Sequence, residues 1–283
     1  MVWSAGLGKH FRDESLVWTA GACSALTARL VERSGFDAVW VSGLEVSASL
    51  GLPDIGLLTM TEMMDVTRQM TGAVSVPVIV DGDTGFGDEL NVVRLMRSAV
   101  AAGATAVCVE DKVFPKRNSF LPVDQELLGP ERFCRKLRSA REAAGDELSL
   151  IARTESLVAG GDVEEALFRS ACYVDAGADA VLVHSRDSTP DRIVDFLRKW
   201  RGSVPVIVVP TTYHGISARE LEMEGAGMVI YANHGLRSAV RAIGETLSAI
   251  RASGSTAGVE DKIASLGEVF RLQETDSWLE LRT

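Results

Sequence analysis

Apolar and polar positions along this chain follow two alternating rhythms. Four times the same pattern returns: a small residue or glycine, a short spacer, then an apolar run rich in β-branched residues. The copies are SGFDAVWVSG (34–43), AGATAVCVED (102–111), AGADAVLVHS (176–185) and EGAGMVIYAN (224–233). Each follows a stretch with helical spacing and ends in polar residues. Glycine past a helix supplies a left-handed cap, and a continuous apolar run after it predicts a strand buried on both faces. Four more apolar runs interleave with these, at 15–22, 76–83, 148–155 and 204–211. Helical periodicity fills 89–102, 130–144, 163–176 and 190–201.

Strict alternation of strand and helix implies a parallel sheet with right-handed crossovers. Eight such units in about 250 residues is the size of a closed barrel, so the expected fold is α/β, a (β/α)8 TIM-type barrel. An open doubly wound sheet would more often carry a phosphate-binding glycine fingerprint after strand one, where this chain has TAGACSA. The barrel is expected over 1–242. A C-terminal extension is expected over 243–283, with helical runs at 245–252 and 259–273 separated by a Ser/Gly turn.

Composition narrows the picture. The 283 residues are 46% apolar, enough for one large domain with a small appendage. No apolar run reaches the roughly 18 residues that cross a bilayer, so no membrane partner is expected. Residues 1–14 lack the continuous apolar stretch of a secretory signal. A net charge of −10 argues against a nucleic-acid partner. It also requires any anion site to carry its own local cations. The four cysteines, at 23, 108, 134 and 172, form no CxxC pair and read as reduced thiols of a cytoplasmic protein.

Barrel enzymes place their chemistry at the carboxyl ends of the strands. Here those ends read Ser42-Gly43-Leu44, Asp81-Gly82-Asp83, Glu110-Asp111-Lys112, Arg153-Thr154-Glu155, His184-Ser185-Arg186 and Asn233-His234. A charge at one strand end is usually the solvated start of a loop; several converging on one rim point to a site. Asp81 and Asp83, spaced i, i+2, are expected on one side of their strand, with Glu110 on the next strand close by. Three carboxylates without His or Cys favour a hard cation, and Mg²⁺ fits because it needs few carboxylates beside its waters. DGDTGFGD also reads as a plain turn. Arg153 can clamp a carboxylate or phosphoryl group with two hydrogen bonds, and His184 beside it either binds a phosphoryl oxygen or caps the strand. Ser42-Gly43-Leu44 can offer backbone amides to a carboxylate. Trp40, just before them, is core or pocket wall. The loop after strand four, 111–120, carries Lys116, Asn118 and Ser119 and suits a mobile lid.

These residues resemble a known family. Glu110-Asp111-Lys112, five residues, then Asn118-Ser119 is similar to the EDK-x5-NS signature of the phosphoenolpyruvate phosphomutases, in the isocitrate lyase/phosphoenolpyruvate mutase superfamily. The similarity extends through 40–54, 80–88, 228–240 and 259–273, nearly the whole chain. It implies interconversion of phosphoenolpyruvate and phosphonopyruvate. It also implies Asp81 as direct Mg²⁺ ligand, with Asp54, Asp83 and Glu110 holding metal-bound waters. Ser42, Gly43 and Leu44 would hold the pyruvyl part, and Arg153 and His184 the carboxylate or phosphoryl oxygens. Asn118, helped by Lys116 and with Ser119 beside it, would steady the phosphoryl group. The resemblance further implies a homotetramer, a dimer of dimers, that swaps a C-terminal helix.

Three rivals remain at this stage. A phosphonopyruvate hydrolase would share nearly every site residue and let water capture the phosphoryl group. A carbon–carbon lyase of the methylisocitrate type would need a lid cysteine, and 112–120 has none. A retired barrel acting as a binding protein would be expected to have lost carboxylates or lid residues.

Overall fold

A computed structural model describes residues 5–11 and 15–281. The remaining positions, 1–4, 12–14 and 282–283, lie outside the described residues, and half of the N-terminal reading over 1–14 falls on them. Among the described residues, eight parallel strands close into a barrel in chain order: β1 (Val17–Ala22), β2 (Ala38–Val41), β3 (Val78–Asp81), β4 (Ala106–Glu110), β5 (Ser149–Thr154), β6 (Ala180–Val183), β7 (Val206–Val208) and β8 (Met228–Tyr231). The last strand pairs back onto the first, Val17 opposite Met228. All eight lie within the apolar runs of the sequence. The runs are longer because their first residues belong to the turns that precede the strands.

Period two decides what faces the axis. Trp40, Ile79, Cys108, Ile151, Leu182 and Ile207 form one interior cluster. Their neighbours Val39, Val80, Val107 and Val109 pack outward under the helices. One step further along the inward register stand Ser42, Asp81, Glu110, Arg153 and His184, each two residues past an interior apolar side chain. The alternation that fills the barrel therefore also aims the rim residues into its mouth. At the other end Leu7, on the short Ala5–Gly8 helix, belongs to the interior cluster and donates its amide to Ser149 Oγ at 2.9 Å.

Helices Glu89–Ala101, Pro130–Ala144, Val163–Asp175 and Asp191–Lys199 lie where periodicity places them. Two more, Gly43–Ser49 and Met60–Thr71, stand between β2 and β3, where the apolar pattern predicts none. The first buries residues in most of its seven positions and so shows no amphipathic rhythm. The second is started by a capping box between Thr59 and Glu62 and buries Met63, Met64 and Met70.

The tail departs further from expectation. Its first helix is His234–Ser253, which starts directly after β8 and runs past residue 242 without a break. The expected run 259–273 is a turn followed by Leu266–Leu272, with a further helix at Thr275–Glu280. Ser265 and Glu268 form a capping box that starts the helix there rather than at Val259.

Candidate active site

At the carboxyl end of the barrel a cavity of about 60 Å³ gathers Asp81 and Glu110 from the rim, Arg153 and His184 opposite, and Asp54 and Asn118 from loops. Trp40, Ser42, Leu44, Lys116 and Ser119 also border it. Gly43 stands just behind, and only glycine fits easily. A Cβ there would sit 3.2 Å from Asp83 Oδ1 and 3.4 Å from Asp81 Oδ2.

The acidic side is built around Lys116. This buried ammonium lies 2.8 Å from Asp54 Oδ1 and 2.5 Å from Asp83 Oδ1, and it also feels Asp81 and Glu110. Asp81 ends β3, but Asp83 does not share that strand. It has left-handed backbone geometry, φ 47°, in the turn after it. The i, i+2 expectation of one strand face fails there, because the chain turns after Gly82, whose carbonyl accepts from the Gly85 amide at 2.8 Å. Asp83 still enters the cluster, carried by the turn. Burial, reinforced by Asp81, Asp54 and Glu110 and opposed by Lys116, pushes its carboxyl up to about 8. Burial also opposes ionisation of Asp54, but Lys116 and the amide of Asn118 hold it below its usual range.

The cationic side is organised by Glu155, which sequence reasoning placed at a strand end without a role. Its Oε1 accepts from Arg153 Nε at 2.5 Å and lies 2.8 Å from His184 Nδ1. Its Oε2 accepts from Ser119 Oγ at 2.6 Å and pairs with Lys112 Nζ at 3.1 Å. Burial works against this carboxylate, but Arg153, His184 and Lys112 hold it well below the usual range. Burial lowers His184, so the ring is neutral at pH 7. Its Nδ1 lies between Glu155 Oε1, which only accepts, and Arg153 Nη2 at 3.0 Å, which only donates, so either tautomer keeps one of the two bonds.

The residues Glu110, Asp111 and Lys112 divide their tasks. Glu110 reaches the mouth, 3.3 Å from Arg153 Nε, with its Oε1 buried and unpartnered. Asp111 turns away and accepts from the Glu155 amide, Thr154, Tyr173 and Arg169, fixing the end of β5. Lys112 holds the lid through Arg117 O at 2.9 Å and Ser119 Oγ at 2.6 Å. Asn118 donates from Nδ2 to Asp54 Oδ2 at 2.6 Å, and its Oδ1 accepts from the Phe120 amide at 3.0 Å. Ser42 accepts from the Glu45 amide as a helix N-cap, and the Gly43 amide points at Asp81 Oδ2, 3.4 Å away. The amides proposed for substrate are thus the first turn of a short helix.

Five acids meet here, Asp54, Asp81, Asp83, Glu110 and Glu155, against three cations, Lys112, Lys116 and Arg153. With Asp83 mostly protonated near pH 7 one negative charge is left over, and a bound divalent cation would favour the ionised form of Asp83 and bring the surplus to two. No three Asp, Glu, His or Cys side chains among the described residues converge as a ready-made cage. That suits a hard cation taking one or two carboxylates plus water, and the unpartnered Glu110 oxygen and the small residue at 43 leave it donors and room.

Sequence reasoning also missed Phe120, Val209, Thr211 and Asn233 as members of this wall. Asn233 stands at the flagged end of strand eight and keeps a buried, unpartnered Oδ1. Its neighbour His234 faces a different cavity on the barrel's flank.

Residues 11–251 match the family model described as phosphoenolpyruvate phosphomutase. A phosphoenolpyruvate phosphomutase from Tetrahymena pyriformis is 38% identical over 95% of this chain and 91% of its own. A crystal structure of phosphoenolpyruvate phosphomutase from Streptomyces platensis subsp. rosaceus is 50% identical. It superposes with a TM-score of 0.93 over 94% of this chain and 93% of that one. A phosphonopyruvate hydrolase structure in complex with oxalate and Mg²⁺ is 38% identical, with a TM-score of 0.89 over 95% and 93% of the two chains.

Proposed function

The chain belongs to the phosphoenolpyruvate phosphomutase family, and we propose from that premise that it interconverts phosphoenolpyruvate and phosphonopyruvate, the isomerisation that makes a carbon–phosphorus bond for phosphonate synthesis. The observation that carries the reading is the shared mouth: Asn118 from the lid faces Arg153 and His184 across an acidic floor. The hydrolase relative named with Mg²⁺ supports that ion as the cation. Asp81 would bind it directly, with Asp54, Asp83 and Glu110 holding its waters. When bound, Mg²⁺ supplies charge compensation to the pyruvyl oxygens.

Phosphoryl transfer through a loose transition state asks the protein for position, charge and dryness rather than covalent help. Arg153 binds and orients the substrate's anionic oxygens, with His184 beside it. The amides of Gly43 and Leu44, with Ser42, hold the pyruvyl part and steady the enolate left when the carbon–phosphorus bond breaks. Asn118 keeps its amide on the phosphoryl group in flight, with Ser119 beside it. Lys116, which pairs with Asp54 and Asp83, is the lid cation that would reach the phosphoryl oxygens, and Asp54 and Asp83 would then be free to hold the waters of a bound cation.

The protein is proposed to work in the cytoplasm, consistent with four free cysteines and with no described helix long and apolar enough to cross a membrane. It is also proposed to work as a homotetramer, a dimer of dimers. Helix His234–Ser253 buries none of its twenty residues in its own chain, and a helix alone in water is marginal. Residues 243–283 are proposed as the extension that packs on a neighbouring copy.

Phosphorus NMR of the purified protein with Mg²⁺ and phosphonopyruvate tests the assignment. Phosphoenolpyruvate should appear, and a chelator should stop it. Stoichiometric phosphate and pyruvate with no phosphoenolpyruvate would make it a hydrolase. The equal 38% identity to the hydrolase structure and to the Tetrahymena mutase keeps that second reading open. A cysteine-dependent lyase is disfavoured because no cysteine borders the mouth, and Cys108 lies below it inside the barrel.

A further inference from the structure

The lid returns on itself as a narrow arm. Lys112 bridges Leu127, the Val113 amide bonds Glu126 O at 2.9 Å, and the Leu128 amide bonds Asp111 O at 2.8 Å. The tip turns tightly, with Leu121 N on Asn118 O at 3.1 Å. This turn fixes the direction of Phe120. The ring stands edge-on to His184, centroids 5.7 Å apart and planes at 88°. It borders the same cavity as Asn118, Arg153 and His184 while 40% of the residue remains exposed. One edge of the ring therefore faces the anion site and the other faces solvent. The cavity beneath has room for about two waters before any substrate enters.

An apolar ring there has no hydrogen bond to offer a substrate. It does occupy the way in for water. We propose that Phe120 is a specificity-determining residue: a barrier that makes the enolate, rather than water, the acceptor of the phosphoryl group. The inference rests on the isomerase reading above. Both fates start with the same cleavage, in which the carbon–phosphorus bond breaks and its electron pair stays on carbon as pyruvate enolate. In isomerisation the enolate oxygen takes the phosphoryl group and gives phosphoenolpyruvate. In hydrolysis the oxygen of water forms the new phosphorus–oxygen bond and releases a proton, the enolate carbon takes up a proton, and the products are phosphate and pyruvate. Only the second capture differs, so the barrier acts on the product ratio and not on the cleavage.

The test follows phosphorus signals over time for the wild-type full-length chain and for Phe120→Ala, Phe120→Leu and Phe120→Tyr, with Mg²⁺ and phosphonopyruvate. Phosphate formed per phosphoenolpyruvate should rise about tenfold or more in Phe120→Ala, stay near wild type in Phe120→Tyr and lie between in Phe120→Leu. The summed consumption of phosphonopyruvate should change far less. A merely structural role would lower both products together. An unchanged ratio in an active Phe120→Ala overturns the inference, as does loss of both products across the whole series. If the wild type itself yields only phosphate, the isomerase reading falls and the barrier falls with it, a result visible before any variant is made.

Discussion

At Glu155 one buried carboxylate ties the two substrate-facing residues, Arg153 and His184, to the two lid residues Lys112 and Ser119. Removing its charge leaves buried cations uncompensated, which costs about 3–5 kcal/mol in typical buried pairs. Glu155→Gln should lose stability on that scale in chemical unfolding. An unfolding midpoint equal to wild type would show that Arg153 and Lys112 find other partners. Asn118 behaves oppositely, since it is partly exposed and spends one amide bond on Asp54. Asn118→Ala should lower kcat on the order of 10²–10³-fold with KM nearly kept, as expected for a group acting in the transition state. Steady-state kinetics on phosphonopyruvate checks this, and a near-wild-type kcat would remove Asn118 from the reaction. At this scale the sequence exposed residue types but not partners. Glu110, Arg153 and His184 were legible because each follows an inward apolar residue by two positions. Glu155 was not, because its direction is set by its amide bonding Asp111 across strands, a contact between residues far apart in the chain.

The lid is the element whose behaviour depends most on a few contacts. Lys112 is buried and holds both Arg117 O and Ser119 Oγ, and Arg117 itself is exposed. Lys112→Met removes these bonds while preserving most of the side-chain volume. Trypsin cleavage after Arg117 should then speed up by about tenfold, the effect of roughly 1.4 kcal/mol on a local opening equilibrium. An unchanged cleavage rate would mean that the backbone pairing of Lys112 with Leu127 is sufficient to hold the arm. Sequence reasoning identified the lid by its cations and amides. It could not foresee that Lys116 rests between Asp54 and Asp83, because that arrangement depends on a loop, 50–58, that carries no periodic signal. The strands were legible for the converse reason, as continuous apolar runs buried on both faces, and the four outer helices because each buries a single face.

For the whole molecule, strict alternation of eight strands was enough to give the barrel, but not the surface it offers to another copy. Beside β1 and β8 lies a mainly apolar cavity of about 510 Å³, lined by Leu30, Phe36, Tyr231 and Leu236 with Glu45 at its floor. Burial pushes the Glu45 carboxyl up to about 7, opposed only by the Leu236 amide. Its folded value exceeds its unfolded one, so the folded state binds the proton more tightly. Stability is therefore greatest below about pH 4.5 for this group, falls as pH rises towards 7 and stays reduced above it. Glu45→Gln should raise the melting temperature at pH 8 relative to wild type and change it little at pH 5; equal effects at both would exclude ionisation as the cause. The helix His234–Ser253 meanwhile exposes Val240, Ile243 and Leu247, each more than half accessible, at spacings of three and four residues. Such a stripe is an apolar face without a partner in its own chain. Covered by a second copy, each side chain gains about 1.5–3 kcal/mol from burial, and two charges placed there would remove the gain and add a desolvation cost. The double variant Ile243→Asp, Leu247→Asp should elute at monomer mass in size-exclusion chromatography with light scattering, where the wild type runs as a multiple of it. A wild type that is already monomeric at micromolar concentration would show that the stripe stays open to water and would end the tetramer reading.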